Sequence, residues 1–417
     1  MPKEYINIRK SLLQFVFSGS FMKRWNDKLR PMELVEVEKQ AHKMMIAFIL
    51  LVLNTKNSSF TEQTAISEEV ILGGIFDYFY RLIITDIKPP IFYKIKSNPA
   101  HFEELTSWVL EQIHPKVEGL GKTFWQQLED YFAHPKDSLS HQILTAAHLL
   151  ASRWEFHLIK GLNHFDPEMQ EIEDSFSTRL KQCYHLKGVQ ELTENSKSNL
   201  SLFMNLCGQL RFQKRWSQTP RIPETSVLGH LFIVASYAYF FSLAIGACPK
   251  RRQNNFFAGL FHDIPELLTR DIISPVKQSV DKIGSLIREY EENELEKKIF
   301  SLLKDSQYAP LLSKLKYFLG IEVGSEFTCT IINNDEVKEV TLNQLQTKYN
   351  HDQYEPKDGE LLKVCDSLAA FIEAYTATRN GIMNEQLQLA QFRIKNKYQN
   401  YILADLVHIG AILSDFD

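Results

Sequence analysis

The chain has 417 residues, 44% of them hydrophobic and 24% charged, and a formal net charge of -4. This length fits two domains of ordinary size, and the composition is typical of a folded globular protein rather than a disordered one. The weak acidic balance argues against a global basic surface for nucleic acid. Five scattered cysteines without a C-x-x-C pair argue against a disulfide framework or a zinc ribbon and favour a reducing cytoplasm.

Apolar residues recur with helical spacing along most of the chain, which predicts an all-α fold. The polar segment 164–199 is predicted to be a linker or a bridging helix. The apolar run from Leu231 to Ala247 contains two serines and several aromatic residues, so it is predicted to be a buried core helix rather than a membrane span. The predicted helices cover 42–54, 102–113, 141–160, 231–246, 283–303, 310–319 and 361–378.

One stretch near the end of the chain has a different pattern. Within Glu326–Leu342, two runs rich in β-branched residues flank the turn tripeptide Asn333-Asn334-Asp335. Two such runs around a short polar turn are typical of a β-hairpin. The sequence therefore predicts a small hairpin inserted in the second half of a helical protein.

Four sequence blocks occur in the same order in both halves, which indicates a tandem duplication. The chain is accordingly predicted to divide into residues 1–163, a bridging segment 164–199, and residues 200–417. The recurring blocks, each with its counterpart, are Lys23-Arg24-Trp25 and Lys214-Arg215-Trp216, the apolar helices that follow His42 and His230, 74–90 and 259–275, and 143–151 and 361–369.

In the second half, three apolar segments each carry an ionisable residue of a type that binds metal. His230 lies near the start of one apolar helix, the pair His262-Asp263 follows another, and Asp366 interrupts a third. Buried ionisable groups are costly unless they are paired or bind metal. A lone histidine on an apolar helix is usually an ordinary core residue, so the prediction depends on the ordered set of four. Two imidazoles and two carboxylates suit one divalent transition metal: Mn, Co, Fe, Ni or Zn.

This ordered set and its flanks resemble the HD-domain phosphohydrolases over roughly residues 200–417. Within them the sequence is most similar to the bacterial 5'-deoxynucleotidase branch. That branch has an upstream Arg-Trp pair, a Glu three residues after the His-Asp pair, an Asp five residues further on, and a Pro-Val-Lys run. One departure is that the branch often has Glu before its first ligand histidine, where this chain has Gly229. The matching residues are Arg215, Trp216, Glu266, Asp271 and Pro275-Val276-Lys277.

The resemblance implies two tandem HD-like helical domains and a metal site in the second. Glu266 would orient or deprotonate the attacking water, a general-base role. Asp271 would hold the nucleophile or contact the sugar. The four residues that would bind the metal are His230, His262, Asp263 and Asp366.

The resemblance also implies a set of substrate-binding residues. Arg215 would clamp the phosphate, a task suited to a bidentate guanidinium. Trp216 would pack either against the substrate or against the core. Lys277 would steer phosphate, although an ordinary solvated surface lysine is the commoner interpretation.

The implied function is a metal-dependent phosphohydrolase acting on a nucleotide phosphate ester, with a (deoxy)nucleoside 5'-monophosphate as the first candidate. One alternative is a nucleoside triphosphate or guanosine-tetraphosphate-type phosphohydrolase. Another is a non-catalytic HD-type scaffold for signalling or nucleotide sensing. The expected partner is a small-molecule nucleotide, with neither nucleic acid nor membrane, and a homo-oligomer is one option for the assembly.

The first half has the pattern of a degenerate copy. It keeps His42 but has Asp77-Tyr78 in place of the His-Asp pair, Arg81 in place of Glu266 and His148 in place of Asp366. Two interpretations are open. The set His42, Asp77 and His148 could hold a metal, or this half could have kept its fold and lost catalysis. In the second case it would be a structural partner, or a nucleotide sensor using Arg24, Arg30 and Arg81.

Overall fold

A computed structural model describes residues 4–134, 137–269 and 281–417, and these residues are mainly α-helical. Short 3-10 helices connect several of the α-helices. The helices are α1 Lys10–Phe17, α2 Glu36–Thr55, α3 Phe60–Ile84, α4 Pro89–Lys96, α5 Pro99–Val117, α6 Gly121–Ala133, α7 Leu139–Lys160, α8 Glu168–Lys181, α9 Val189–Glu194, α10 Asn199–Gln209, α11 Val227–Ala244, α12 Pro249–Phe261, α13 Glu266–Thr269, α14 Asp281–Lys298, α15 Ala309–Phe318, α16 Leu342–Thr347, α17 Gly359–Arg379, α18 Glu385–Tyr398 and α19 Ile409–Ser414.

The all-α prediction is confirmed, and each predicted helical segment lies within or largely overlaps an observed helix. Several of these helices begin at a serine whose side chain accepts a hydrogen bond from the backbone N–H three residues later. Such a cap satisfies one of the free N–H groups at a helix start. The capping serines are Ser59, Ser138, Ser198 and Ser226, at the starts of α3, α7, α10 and α11.

The predicted hairpin is also confirmed. Strand β1 (Thr330–Asn333) pairs antiparallel with β2 (Glu336–Glu339). The turn residues Asn334 and Asp335 have φ values of 53° and 61°, a conformation that Asn and Asp tolerate better than most residues. A second hairpin, β3 (Ile402–Leu403) with β4 (Val407–His408), was not predicted, because strands of two residues are too short for an alternating pattern.

The buried apolar residues of both halves form one continuous core. Phe48 on α2 illustrates how the halves meet. Its ring centroid lies 4.6 Å from that of Phe257, 5.2 Å from that of Phe261 and 5.6 Å from that of Phe318, all in the second half. The predicted boundaries at 163 and 200 remain a prediction, and the core is continuous across them.

Helix α1 also joins the two halves. The hydroxyl of Tyr78, on α3, donates to the backbone carbonyl of Val16 at 2.6 Å. The hydroxyl of Tyr237, on α11, donates to the carbonyl of Leu13 at 2.7 Å. Both tyrosines are buried, and their hydroxyl groups tie the backbone of α1 to one helix of each half.

Helix α11 lies at the centre of the molecule. In the described residues it is the one helix long and apolar enough to cross a membrane, and 89% of it is buried inside the fold. A helix that is apolar on all sides is typical of the core of a large protein. The prediction of a buried core helix is therefore confirmed.

We expect Phe48→Ala to lower the free energy of unfolding by about 3–5 kcal/mol, because the substitution leaves a cavity where the two halves meet. Chemical denaturation followed by circular dichroism measures this loss. Phe392→Ala is the control, since Phe392 is 63% exposed, and its effect should stay within about 0.5 kcal/mol. Equal effects of the two substitutions would contradict the shared core.

Candidate metal centre

Three of the four predicted ligands come together in the second half. His230, His262 and Asp366 each offer a ligand atom, and these atoms all lie within 4.8 Å of one another. Nε2 of His230 is 3.2 Å from Oδ1 of Asp366. Both imidazoles are buried. Because two nitrogen ligands and a carboxylate oxygen converge from separate helices, the cluster has the composition expected of a transition-metal site.

Three packed helices bring these side chains together. His230 is the fourth residue of α11, His262 directly follows α12, and Asp366 lies on α17. Helix α11 contacts both α12 and α17 along its length. The three ligands are thus fixed by core packing rather than by flexible loops, which favours a well-ordered site.

The hydrogen bonding of His262 leaves one ring nitrogen available for a metal. Its Nδ1 donates to the carbonyl of Gly259 at 2.9 Å, so its Nε2 carries the lone pair in the neutral ring. That Nε2 is buried without a hydrogen-bond partner among the described residues, and so are both ring nitrogens of His230. Buried nitrogens without hydrogen-bond partners, next to a carboxylate, fit a bound divalent cation.

Asp263 lies at the edge of this cluster. Its Oδ2 is 3.3 Å from Nε2 of His262 and 3.9 Å from Nε2 of His230. The same oxygen is 3.8 Å from Nη1 of Arg215. The structure therefore gathers all four predicted ligands in one region, with Asp263 between the histidines and the arginine.

The electrostatic surroundings keep the charged groups of the site ionised. Burial by itself would raise the pKa of Asp366, but His230, Lys363 and His262 hold it well below its usual range. Burial would lower the pKa of Arg215, but four carboxylates raise it. One of these is Glu266, which is buried and whose backbone N–H donates to the carbonyl of Asp263 at 3.0 Å. Glu266 thus lies close enough to Arg215 to stabilise its charge.

Trp216 packs against the protein. Its ring contacts a small apolar cluster formed by Ala374, Ala377 and Leu387, and its Nε1 donates to Glu373 at 2.8 Å. Of the two roles predicted for Trp216, these contacts support packing against the core. The other predicted residues, Asp271 and Lys277, lie outside the described residues.

Two residues of the site were missed by the sequence reasoning. Lys363 places its Nζ 3.0 Å from Oδ2 of Asp366 and 4.1 Å from the ring centroid of Phe327. Glu373 is fully buried and accepts a hydrogen bond from Nε of Arg215 at 3.3 Å. In the sequence, each is visible only as a charged residue on an apolar helix, about one helical turn (Lys363) or two turns (Glu373) from Asp366.

The structure of the first half bears on the predicted alignment of His42 with His230. Helices α2 and α11 each begin one residue after an antiparallel bridge, Lys23 with Val35 and Lys214 with Ser226. The fourth residue of α11 is His230, whereas the fourth residue of α2 is Lys39. Counted from the bridges, the position of His230 in α11 is therefore that of Lys39 in α2, three residues or almost one helical turn before His42.

The possible three-ligand set of the first half does not come together. Nε2 of His42 hydrogen-bonds to the carbonyl of Met204 at 3.1 Å, away from the other two. Asp77 pairs with the ammonium of Lys43 and accepts a bond from Tyr131. Nδ1 of His148 lies 2.8 Å from Nζ of Lys39. Two different ammonium groups thus contact these residues, that of Lys43 at Asp77 and that of Lys39 at His148.

Burial lowers the pKa of Lys39 to about 7. The charge of Lys39, together with burial, lowers the pKa of His148 well below its usual range. The imidazole of His148 is therefore neutral and accepts the bond from Lys39. The chain's own ammonium groups thus pair with Asp77 and His148 in the first half.

Comparison with known proteins agrees with the geometry of the second half. Residues 207–394 match the family model of the HD domain. The matched segment of the HD domain runs from α10 into α18 and contains the four candidate ligands. Neither a curated protein nor a solved structure matches the chain. The HD domain indicates a metal-dependent phosphohydrolase in general, and the His/Asp cluster fits the divalent metal that such domains bind.

We expect Asp366→Asn to weaken binding of Mn²⁺ or Co²⁺ by at least about tenfold, because it removes a charged ligand between two imidazoles. Metal analysis after dialysis and calorimetric titration measure the loss. Asp77→Asn is the matched control, since Asp77 is the carboxylate that pairs with Lys43 in the first half. Unchanged metal affinity in Asp366→Asn would show that the cluster is not the metal site.

Proposed function

We propose that the second half hydrolyses a nucleotide phosphate ester, with a (deoxy)nucleoside 5'-monophosphate as the preferred substrate class. The observation that carries this proposal is the convergence of His230, His262 and Asp366 beside the guanidinium of Arg215, whose side chain is 12% exposed. A cation site next to a guanidinium is suited to a phosphate group, because phosphoryl transfer depends mainly on charge neutralisation and positioning.

A divalent cation bound there would supply a Lewis acid and lower the pKa of a water molecule. The residues of the chain perform the remaining tasks. Arg215 binds the phosphate through Nη1, which is 3.8 Å from Oδ2 of Asp263 and therefore faces the centre. The carboxylate of Glu266, which follows the His-Asp pair, accepts the proton of the attacking water.

Support for a monophosphate substrate comes from the residue pattern around the centre. The Arg215-Trp216 pair, Glu266, Asp271 and the Pro-Val-Lys run resemble the 5'-deoxynucleotidase branch. The alternative is cleavage of nucleoside triphosphates or of guanosine-tetraphosphate-type nucleotides, which uses the same kind of centre. The product released from each nucleotide separates these activities.

We further propose that the first half arose by tandem duplication and is catalytically inactive. Both Trp25 and Trp216 have φ of 56°, and both donate from Nε1 to a buried glutamate on a later helix. The halves differ at the arginine that precedes each tryptophan. Nη1 of Arg24 is paired with Glu36, the first residue of α2. The first residue of α11 is the apolar Val227. Arg24 is thus neutralised within the protein.

Other parts of the proposal follow from the sequence. A small nucleotide is the expected partner, and neither nucleic acid nor membrane is part of the proposed activity. The five cysteines are unpaired, which is consistent with the proposed reducing cytoplasm. A homo-oligomer is compatible with the proposal.

A panel of nucleotides assayed with the wild-type protein in Mn²⁺ and Co²⁺ tests the substrate class. We expect release of orthophosphate from nucleoside 5'-monophosphates, because one cation and one arginine suffice to bind a single phosphate. Release of pyrophosphate or triphosphate would instead favour the alternative substrates. Failure of every nucleotide to react, with metal bound, would favour the non-catalytic scaffold.

We expect Glu266→Gln to keep the metal and to lower kcat by about a hundredfold or more, because the amide cannot accept the proton from water. Turnover and metal content are measured on the same preparation. Asp77→Ala, in the first half, should leave turnover nearly unchanged. Loss of metal in Glu266→Gln would mean that Glu266 is a ligand and not a base.

A further inference from the structure

Building on the proposed function, we infer that Glu373 is a positioning residue that fixes the guanidinium of Arg215 beside the metal centre. The residue has no role in the resemblance described above. It is fully buried on α17, and its carboxylate accepts bonds from three side chains of the segment that precedes α11.

The three donors surround both oxygens of Glu373. Oε2 accepts from Nε of Arg215 at 3.3 Å and from Nε1 of Trp216 at 2.8 Å. Oε1 accepts from the hydroxyl of Thr225 at 2.7 Å. A buried carboxylate is costly unless it is paired in this way, so the three bonds hold these side chains in one arrangement.

The bond to Nε leaves the outer end of the guanidinium directed at the site. Nη1 of Arg215 lies 3.8 Å from Oδ2 of Asp263, while Nε is held by Glu373 on the other side. A free arginine side chain has many rotamers, and fixing them lowers the entropy lost when an anion binds. Glu373 therefore prepares Arg215 for the phosphate without touching it.

Glu373 also links this arginine to the metal ligands. It follows Asp366 by seven residues on α17, which is about two helical turns, so both side chains lie on the same face of the helix. One rigid helix thus supplies a ligand of the cation and the anchor of the arginine. Helix geometry fixes the distance between these two groups. A phosphate that bridges them requires such a fixed distance.

The backbone at Trp216 adds a second reason for this anchor. Trp216 has φ of 56°, which is costly for a bulky residue and persists only where neighbouring contacts hold it. Its Nε1 bond to Glu373 and its apolar contacts on α17 and α18 supply that support. Loss of the carboxylate would therefore release the turn that carries Arg215.

The first half provides a matched control for the experiment. Glu155 is equally buried and accepts bonds from Nε of Arg24 at 2.9 Å and from Nε1 of Trp25 at 3.1 Å. Arg24, however, is already paired with Glu36. Oε1 of Glu155 accepts from Nη1 of the buried Arg211 at 3.0 Å, where Oε1 of Glu373 accepts from Thr225. Glu155→Gln thus removes a buried charge that binds an arginine and a tryptophan in the same way, in the half where the described residues show no ligand cluster.

The experiment compares Glu373→Gln with Glu155→Gln in the full chain. Metal content, kcat, KM and the calorimetric affinity for inorganic phosphate in the presence of Mn²⁺ are measured. We expect Glu373→Gln to keep its metal and to weaken both kcat/KM and phosphate affinity by about ten- to a hundredfold, as is typical for the loss of an outer partner. Glu155→Gln should change both by less than about twofold, as a substitution remote from the chemistry.

A fluorescence readout reports the position of Trp216 directly. The contribution of Trp216 is obtained by subtracting the emission spectrum of the Trp216→Phe derivative from that of each protein. We expect this difference spectrum to shift in Glu373→Gln, because the indole N–H loses its charged acceptor, and to stay unchanged in Glu155→Gln. If Glu373→Gln does not fold, Thr225→Val removes one donor to the same carboxylate and should produce smaller changes in the same direction.

Phosphate affinity and kcat/KM within twofold of wild type in Glu373→Gln would overturn the inference. Loss of the metal in this variant would also overturn it, because Glu373 would then maintain the centre itself. If the wild-type protein hydrolyses no nucleotide, the proposed function fails separately, and phosphate affinity and the Trp216 spectrum still decide whether Glu373 positions Arg215.

Discussion

Charge compensation inside an apolar core is the constraint on which this structure depends. Helices α2, α11 and α17 are mostly buried, yet each carries ionisable side chains that face its neighbours. A buried charge without a partner is far too costly for a fold of ordinary stability. Every such group must therefore meet an opposite charge, a hydrogen-bond donor or a cation, and the arrangement of the helices satisfies this requirement differently in the two halves.

In the second half, the protein itself does not compensate all the buried ionisable groups, and this is where we expect a metal to bind. His230, His262 and Asp366 converge with imidazole nitrogens that lack hydrogen-bond partners in the described residues. In the first half, Lys39 and Lys43 lie against His148 and Asp77. There the ammonium groups of the chain itself compensate the buried side chains. One half of the chain thus has an internal ion-pair network, and the other has a cluster that fits a metal ion.

The sequence predicted the fold class, the long helices and the first hairpin, because these depend on local periodicity and turn chemistry. It also predicted the residues that converge, since His230, His262-Asp263 and Asp366 interrupt apolar helices. It could not predict Glu373 or Lys363, because a charged residue on a helix does not reveal its partner across the fold. The three-residue offset at His42 has a similar cause. The sequence comparison matched one histidine with another, whereas the bridge before each helix places Lys39 at the position in α2 that His230 has in α11.

The continuous core has a consequence for how such a chain can evolve. Phe257, Phe261 and Phe318 of the second half lie against Phe48 of the first, so deletion of the first half would expose them to solvent. Selection then acts on the first half for the surface it covers, whether or not it binds a ligand. Substitutions on the inner side of α2, where Phe48 lies, would be removed by selection because they would disturb the core of both halves.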